Sequence, residues 1–313
     1  MRVAMTGSHG LIGGALVEAL SGGGHDVTRL VRGTAGPGEV AWDPTGGTID
    51  AARLEGHDAV VNLAGPGIGD RRWDADRKAA IRDSRVDGTG LLARTLASLE
   101  RPPRVLASGS AVGFYGDRGD EELTEASTKG DGFLADVVDD WEQATAPAAD
   151  AGVRVAHLRS GVVLSRRGGA LAKQLGPFKA GLGGRIGSGR QYLSWITLDD
   201  EVAAIVHVLE HEDLRGPVNL TAPGAVTNAE FTRALGAALH RPTLLPVPMI
   251  ALNLLFGSEM VREMLLGGQR VRPAALDASG FEFGQPEIEG ALRAVLGAPA
   301  PPAAGAPPPG GGG

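Results

Sequence analysis

Two kinds of hydrophobic patterning alternate along the first half of the chain. Short apolar runs typical of buried strands are followed by longer segments whose apolar residues recur at helical spacing. The predicted strands are Arg2–Thr6, Asp26–Val31, Ala59–Leu63, Arg104–Ala107 and Val153–Leu158, and the predicted helices are Leu11–Leu20, Asp74–Leu99 and Phe133–Ala151. Alternation of this kind indicates an α/β fold, a doubly wound parallel sheet with helices on both faces.

The pattern changes after Leu158, and residues 161–296 are predicted to form a smaller, mixed α/β carboxyl-terminal lobe on the substrate side. Its predicted helices are Asp199–Glu210, Asn228–Leu239 and Ile250–Leu266, whereas Gly168–Gly189 shows little regular patterning. The boundary near residue 160 leaves room for later residues to return to the sheet. From residue 297 to 313 the chain contains only Ala, Pro and Gly, which predicts a flexible tail.

Composition narrows the class of protein without identifying a function. The 313 residues are 42% hydrophobic and 21% charged, which is ordinary for a soluble globular protein. The absence of cysteine excludes disulfide scaffolds, zinc-thiolate sites, iron–sulfur clusters and cysteine nucleophiles, and no metal site is expected. A net charge of −7 disfavours a nucleic-acid partner.

Neither a membrane span nor a leader is expected from the sequence. No apolar run approaches the ~20 residues that a membrane-spanning helix needs. Because Met1–Thr6 already has the pattern of a buried strand, no signal peptide is expected before it. We therefore expect a cytoplasmic protein with no membrane partner.

A glycine-rich segment joins the first predicted strand to the first predicted helix. Thr6-Gly7-Ser8-His9-Gly10-Leu11-Ile12-Gly13 has the spacing G-x-x-G-x-x-G, a variant of the dinucleotide-binding fingerprint. In that fingerprint Gly7 permits a tight turn, Gly10 the approach of a pyrophosphate, and Gly13 close packing of helix on sheet. The helix N-terminus presents free N–H groups to the phosphates. This order predicts a Rossmann-like nucleotide-binding domain within residues 1–160, with a ligand-free glycine turn as the alternative.

The end of the second predicted strand indicates which dinucleotide is bound. Proteins that bind NAD usually place an acidic residue there to hold the ribose hydroxyls. Here the strand ends in Val31-Arg32-Gly33, so an arginine occupies the place of the usual carboxylate. A carboxylate would repel a ribose 2′-phosphate, whereas a guanidinium can pair with it. We therefore predict NADP(H) as the cofactor; a solvated loop charge is the alternative interpretation of Arg32.

Small and hydroxylated residues follow the next two predicted strands. One strand ends in Leu63, Ala64 and Gly65, and the next ends in a segment that contains Ser108 and Ser110. Ligands of open α/β sheets bind at this carboxyl edge, so both groups are candidates for cofactor contact. An ordinary strand exit and turn chemistry are the respective alternatives.

Together these segments resemble the extended or atypical short-chain dehydrogenase/reductases, and further stretches resemble the branch labelled nucleoside-diphosphate-sugar epimerase-like. The resemblance covers Met1 to Leu296. Its motifs are Arg72-Trp73, Ser84-Arg85, Ser110–Gly116, Trp141-Glu142, Leu158–Ser165, Gly181–Gly184, Gly187–Gln191, Trp195-Ile196, Phe256-Gly257, Gln269–Val271, Pro273 and Gly280-Phe281. The cofactor contacts predicted in all are Gly7, Ser8, Gly10, Leu11, Ile12, Gly13, Arg32, Leu63, Ala64, Gly65, Arg85, Ser108 and Val163.

The chain departs from the wider family at the residues that usually carry the chemistry. Relatives hold Tyr and Lys four residues apart on a helix, where this chain has Phe133 and Val137, and neither side chain can transfer a proton. Relatives also hold an Asn where this chain has Val162, and Leu193–Thr197 lacks the Arg and His that the resemblance implies. These losses disfavour a sugar-nucleotide substrate.

Other residues are the candidates for catalysis and substrate binding. The resemblance implies that Ser110 orients a substrate carbonyl, and Tyr115 follows it in the same loop. Arg190, Tyr192 and Trp195 lie on a segment that should line the substrate side. Packing is the alternative role for Tyr115, and a contact within the lobe is the alternative for Tyr192.

Three functions remain open from the sequence. The first is an NADP(H)-dependent, epimerase-like oxidoreductase whose proton comes from water, Tyr115 or a hydroxyl near Ser110. The second is a catalytically degenerate NADP(H)-binding protein that regulates a partner. The third is a sugar-nucleotide epimerase or dehydratase. The missing Tyr and Lys favour the second, and the substantial second lobe favours the first.

Overall fold

The computed structural model describes residues 1–297. Its strands are β1 (Arg2–Thr6), β2 (Asp26–Val31), β3 (Glu39–Asp43), β4 (Thr48–Ile49), β5 (Ala59–Asn62), β6 (Val105–Ala111), β7 (Glu122–Leu123), β8 (Arg154–Ser160), β9 (Val162–Leu164), β10 (Tyr192–Leu193), β11 (Trp195–Thr197), β12 (Gly216–Leu220), β13 (Val226–Thr227) and β14 (Arg270–Val271). The predicted tail, apart from Gly297, lies outside the described residues.

The helices include long elements in the first half and several short ones toward the carboxyl end. They are α1 (Leu11–Gly22), α2 (Ala75–Ala97), α3 (Phe133–Gln143), α4 (Ala146–Asp150), α5 (Gly169–Lys179), α6 (Leu198–Glu210), α7 (Asn228–Leu239), α8 (Met249–Phe256), α9 (Ser258–Val261), α10 (Ala274–Ala278) and α11 (Ile288–Leu296). Short 3₁₀ turns span Ala51–Leu54 and Val112–Tyr115, and a π-helical turn spans Arg262–Leu266.

One eight-stranded sheet organises the protein, in the order β12-β8-β6-β5-β1-β2-β3-β4. Every pair in it is parallel except β3 and β4. The chain runs outward in one direction from β1 to β4 and then returns to β5 on the other side of β1. This reversal leaves a crevice at the carboxyl ends of β1 and β5, where open α/β sheets bind ligands.

Helices cover both faces of the sheet because the side chains of its strands alternate between two cores. Val3 and Met5 pack on one face with α1 and α6, while Ala4 packs on the other face with α2 and α4. All three of these β1 side chains are fully buried. The predicted doubly wound parallel sheet is therefore confirmed, and its last strand, β12, comes from beyond residue 160.

A smaller lobe of helices follows, with short strand pairs at its base. Its core includes Leu171 of α5, Phe231 of α7 and Leu292 of α11 around Trp195. The strand pairs are β10 with β13, β11 with β9, and β14 with β7. The division of the chain at residue 160 remains a prediction.

Several elements differ from the sequence prediction, each for a local reason. The predicted helix Phe133–Ala151 is two helices, and Pro147, at the start of the second, has no N–H to continue the first. The predicted helix Ile250–Leu266 breaks at Gly257, which has φ +85°. The stretch expected to be irregular contains α5, and β3 and β12 were not predicted.

Candidate cofactor and active site

The turn between β1 and α1 is a cradle built from backbone. A Cβ on Gly7, which has φ +69°, would lie 2.5 Å from the Leu63 carbonyl oxygen at the end of β5. A Cβ on Gly13 would overlap the Gly7 carbonyl oxygen, so this glycine lets α1 pack against its own loop. Gly10 is the N-cap of α1, and no side chain caps the first N–H groups. An uncapped helix N-terminus of this kind is suited to binding phosphate.

The remaining residues of the glycine-rich segment complete the cradle. Ser8 is buried, with its hydroxyl 3.4 Å from the His9 ring. Leu11 and Ile12 are half-buried in the first turn of α1 and pack on the core of the sheet. Their backbone N–H groups are among the first of the helix, which have no partner within it.

A buried hydrogen-bond network fixes the adjoining ends of the strands. The Thr6 hydroxyl accepts from the N–H groups of Leu63 and Ala64 at 3.1 Å and donates to Asn62 Oδ1 at 2.7 Å. The Asn62 amide donates to the hydroxyls of Thr89, at 2.8 Å, and Ser108, at 3.3 Å. These bonds fix the position of the turn after β5 relative to the carboxyl end of β1.

A groove of about 960 Å³ extends from the cradle across the ends of β2, β3 and β5. Its walls include Gly7, Gly10, Arg32, Trp42 and the turn Leu63–Pro66. Arg32 is exposed and forms no salt bridge within residues 1–297, and Asp83 and Asp87 line the same groove. The groove therefore offers an available cation at the end of β2, in the position that the sequence predicted.

Arg85 of α2 lies against the turn after β5. Its guanidinium donates at 3.0 Å to the carbonyl oxygens of Ile81 and Pro66, and a Cβ on Gly65 would lie 3.4 Å from it. Burial, and next the nearby charge of Arg77, lower the pKa of Arg85 to about 10. Within the described residues no carboxylate pairs with Arg85, and a half-buried, unpaired guanidinium of this kind favours an anion beside it.

Ser110 and Tyr115 belong to one buried polar cluster. Glu142 of α3 accepts from the Ser110 hydroxyl at 2.6 Å and from Arg159 Nε and Nη2 at 2.8 Å. Arg159 Nη1 donates to the Tyr115 hydroxyl at 3.0 Å. The Tyr115 hydroxyl in turn donates to Asn219 Oδ1 at 2.7 Å. All five side chains are buried, so the cluster joins β6, α3, β8 and β12 at the carboxyl edge of the sheet.

Burial and charge set the protonation of this cluster. Burial opposes ionisation of Glu142, but hydrogen bonds from Arg159 and the charges of His157 and Arg159 outweigh it and hold its pKa below the ordinary value. Burial raises the pKa of Tyr115 despite the nearby charge of Arg159. The carboxylate is therefore ionised and the phenol neutral near neutral pH.

The helix positions that carry Tyr and Lys in relatives belong here to an apolar cluster. Val137 is buried with Trp73, Ile81 and Met260, and Phe133 packs edge-on to Trp73 with ring centroids 5.1 Å apart. No proton donor stands at either position.

The predicted substrate-side residues lie in three different environments. Arg190 is exposed, and the half-buried ring of Tyr192 has the Arg270 guanidinium over it, 5.4 Å from the centroid. Trp195 has no exposed surface, and its indole N–H donates to the Gly224 carbonyl oxygen at 2.8 Å. That location is typical of a core residue. Val163 is half-buried in β9 beside β11.

Sequence reasoning assigned no role to Glu142, Arg159 or Asn219. In the sequence, Glu142 and Arg159 fall within the motifs Trp141-Glu142 and Leu158–Ser165 of the resemblance. Arg159, a charged residue at the end of a strand-like apolar run, was the available signal, since charged residues are rarely buried unless paired.

Two family models together match most of the chain. The model of the NAD dependent epimerase/dehydratase family matches residues 3–220. A domain of unknown function (DUF1731) matches residues 247–295. The first match spans the sheet and the cradle, and the second spans the end of the lobe.

Individual relatives match over nearly the whole chain. An epimerase family protein of Mycobacterium tuberculosis, MT2273, is 48% identical over 282 residues, which are 90% of this chain and 93% of the relative. The crystal structure of human epimerase family protein SDR39U1 (isoform 2) with NADPH is 38% identical with a TM-score of 0.87, over 95% of this chain and 99% of that one. A nucleoside-diphosphate sugar epimerase from Corynebacterium glutamicum is 40% identical with a TM-score of 0.78, over 95% of this chain and 58% of that one.

In residues 1–297 no helix has both the length and the apolar character needed to cross a membrane.

Proposed function

This chain belongs to the NAD dependent epimerase/dehydratase family, and we propose that it is an NADP(H)-binding, epimerase-like oxidoreductase acting on a small-molecule substrate. The observation that carries the proposal is the cradle at the start of α1, where close backbone packing leaves no room for a Cβ on Gly7 or Gly13 and an uncapped helix N-terminus borders the groove. The NADPH in the crystal structure of the human relative supports the same cofactor for this chain.

Each part of the cofactor has a proposed place in the groove. Gly7, Ser8, Gly10, Leu11, Ile12 and Gly13 would hold the pyrophosphate on the end of α1. Arg32 would pair with the 2′-phosphate, since its guanidinium is exposed and forms no salt bridge within the described residues. The adenosine side would rest on Leu63, Ala64 and Gly65, with Arg85 behind them, and Ser108 and Val163 would lie toward the nicotinamide.

The residues of the chain would bind and orient, and bound NADP(H) would supply hydride transfer. Ser110 is the proposed orienting hydroxyl, although its proton is directed at Glu142 and must turn to reach a substrate oxygen. Tyr115 is the proposed proton donor, but its hydroxyl must first release Asn219. Arg190 and Tyr192 are proposed to face the substrate from the lobe of residues 161–296, and the location is proposed to be cytoplasmic.

A second function is favoured by one observation. Phe133 and Val137 sit in an apolar cluster, so the usual proton-transfer pair of the family is absent. A protein that binds NADP(H) without turnover and signals its occupancy to a partner would need no such pair.

Turnover separates these two functions. Purified protein holding NADPH is mixed with a panel of aldehydes, ketones and enones, with UDP- and GDP-sugars as separate arms, and cofactor oxidation is followed by absorbance. An oxidoreductase oxidises NADPH with at least one compound, and Ser110→Ala lowers that rate. Binding of NADPH without oxidation by any compound would support the regulatory protein, and failure to bind NADPH would contradict both.

A further inference from the structure

The surface of the carboxyl-terminal lobe carries large apolar side chains that nothing in residues 1–297 covers. Six of them, here called the apolar face, expose between 67% and 89% of their surface: Leu182, Leu244, Leu245, Ile250, Leu254 and Leu255. Three belong to α8, a helix with no fully buried residue. Exposed apolar residues that occur together, rather than singly, mark an interaction surface.

The two segments that form this face lie side by side. The Val247 N–H donates to the Arg185 carbonyl oxygen at 2.9 Å, and a Cβ on Gly184 would overlap the Leu245 carbonyl oxygen. Arg241 Nε donates to the Lys179 carbonyl oxygen at 2.9 Å. Leu182 is thereby held next to the segment that leads into α8.

Basic side chains border the apolar face. Lys179, Arg185 and Arg241 are exposed on the segments that adjoin the face, and Arg72 lies beside Gly257 at the end of α8. Residues 161–198 and 231–258 together contain eight Lys or Arg and no Asp or Glu, in a chain whose net charge is −7. The segments that carry the face are therefore positively charged in an otherwise acidic chain, although Lys173 is paired with Asp70 and Arg166 and Arg167 line a different groove beside α1 and α6.

The nearest acidic residues already have partners. Glu259 pairs with Lys78 at 2.6 Å, and Asp70 pairs with Lys173 at 3.0 Å. Glu263 accepts from the N–H groups of Phe133 and Leu134 at the start of α3. None of these carboxylates pairs with the cations that border the face.

We propose that the apolar face is a docking surface for the anionic leaflet of a phospholipid membrane. The apolar side chains of a short helix can insert among acyl chains, while the cations at their border pair with anionic headgroups. The helix would lie in the plane of the interface, with Ile250, Leu254 and Leu255 inserted. This differs from the sequence expectation of no membrane partner, which rested on the absence of a spanning segment.

Charge argues against a second copy of this chain as the occupant. A two-fold interface would set the same surface against itself and bring two sets of cations, Lys179, Arg185 and Arg241 from each copy, to one interface, where the neighbouring acidic residues Glu259 and Asp70 are already paired. Like charges at a partly desolvated rim oppose such an interface. An anionic membrane offers acyl chains to the apolar residues and negative headgroups to the cations.

The test is flotation of the full chain with lipid vesicles at low and raised salt. Vesicles of phosphatidylcholine with phosphatidylglycerol are compared with vesicles of phosphatidylcholine alone. We expect binding to the anionic vesicles that weakens with salt, about tenfold weaker binding for Leu254→Ser, and a comparable loss for Lys179→Glu. Arg53→Glu, which reverses an exposed charge elsewhere, is the matched control and should bind as the wild type does.

Thermal melting by circular dichroism verifies that each variant is folded, and three results would overturn the proposal. One is no binding to anionic vesicles. Another is a dimer in sedimentation equilibrium that Leu254→Ser disrupts, which would assign the face to a second copy. The third is retention on immobilised polyglutamate without vesicle binding, which would assign it to an acidic protein surface.

Discussion

Two adjacent glycines at the start of α1 differ in what a side chain would meet. A Cβ on Gly13 would overlap the Gly7 carbonyl oxygen, whereas a Cβ on Gly14 would have its nearest neighbour, the Ser8 carbonyl oxygen, at 3.8 Å. Gly13 must therefore be glycine because the backbone of the preceding loop lies against it. Gly14 has room for a side chain.

Alanine at these two positions should change stability in opposite directions. Gly14→Ala should raise the free energy of unfolding by roughly 0.5–1 kcal/mol, because alanine favours the helix. Gly13→Ala should lower it by about 1–3 kcal/mol, because backbone must move to admit the methyl group. Urea denaturation measures both, and equal effects of the two substitutions would contradict the geometry of the cradle.

The sequence assigned no role to residues whose hydrogen-bond partners lie far away along the chain. Glu142 and Arg159 lie on α3 and β8, and only the fold brings Glu142 against Ser110 and Arg159. The glycine motif and Arg32, by contrast, could be interpreted from their order along the chain, because the strand, turn and helix that place them are consecutive.

At the scale of elements, α3 is the helix on which the family resemblance implied a proton-transfer pair, and here it contributes apolar packing. Val137 is 3% exposed beside Trp73 and Ile81. A lysine there would bring an unpaired charge into the cluster.

Restoring the family pair should therefore destabilise the protein. Val137→Lys should lower the free energy of unfolding by roughly 2–4 kcal/mol, whereas Phe133→Tyr, at a half-buried position, should cost less than about 1 kcal/mol. Val137→Met is the control for size without charge. Thermal or urea unfolding measures the series, and a Val137→Lys protein as stable as Val137→Met would show that the cluster tolerates the charge.

Elements with strong periodicity were predicted well, and those whose composition hides their period were not. The bounds of β1, β2 and α7 agree with the sequence, and α7 begins with a capping box at Thr227 and Glu230. Glycine and Pro177 obscured α5, although Leu171 and Phe178 bury its inner face. Helix propensity is weak information when packing decides the outcome.

At the scale of the whole molecule, one buried acid couples stability to pH. Glu201 of α6 has no exposed surface, and its Oε1 accepts from the Ser160 hydroxyl at 2.5 Å. Its Oε2 has no hydrogen-bond partner among the described residues. Burial raises the pKa of Glu201 to about 8, against the opposing effect of the Ser160 hydrogen bond.

Glu201→Gln should remove a pH-dependent loss of stability. Between about pH 4.5 and 8 the unfolded chain ionises Glu201 while the folded chain keeps it protonated, so the folded state binds more protons and its stability falls as pH rises. The size is on the order of a few kcal/mol. Urea denaturation across this range, with wild type and Glu201→Gln in parallel, measures it; identical pH profiles would contradict the protonated assignment.

The central claim is that a backbone cradle and Arg32 select a phosphorylated dinucleotide. It is tested most directly by isothermal titration of NADPH and NADH into wild type, Arg32→Glu and the matched exposed control Arg53→Glu. Wild type and control should prefer NADPH, and Arg32→Glu should weaken NADPH binding by about 2 kcal/mol, roughly 30-fold, with little change for NADH. No preference in wild type, or equal weakening of both dinucleotides by Arg32→Glu, would contradict the account.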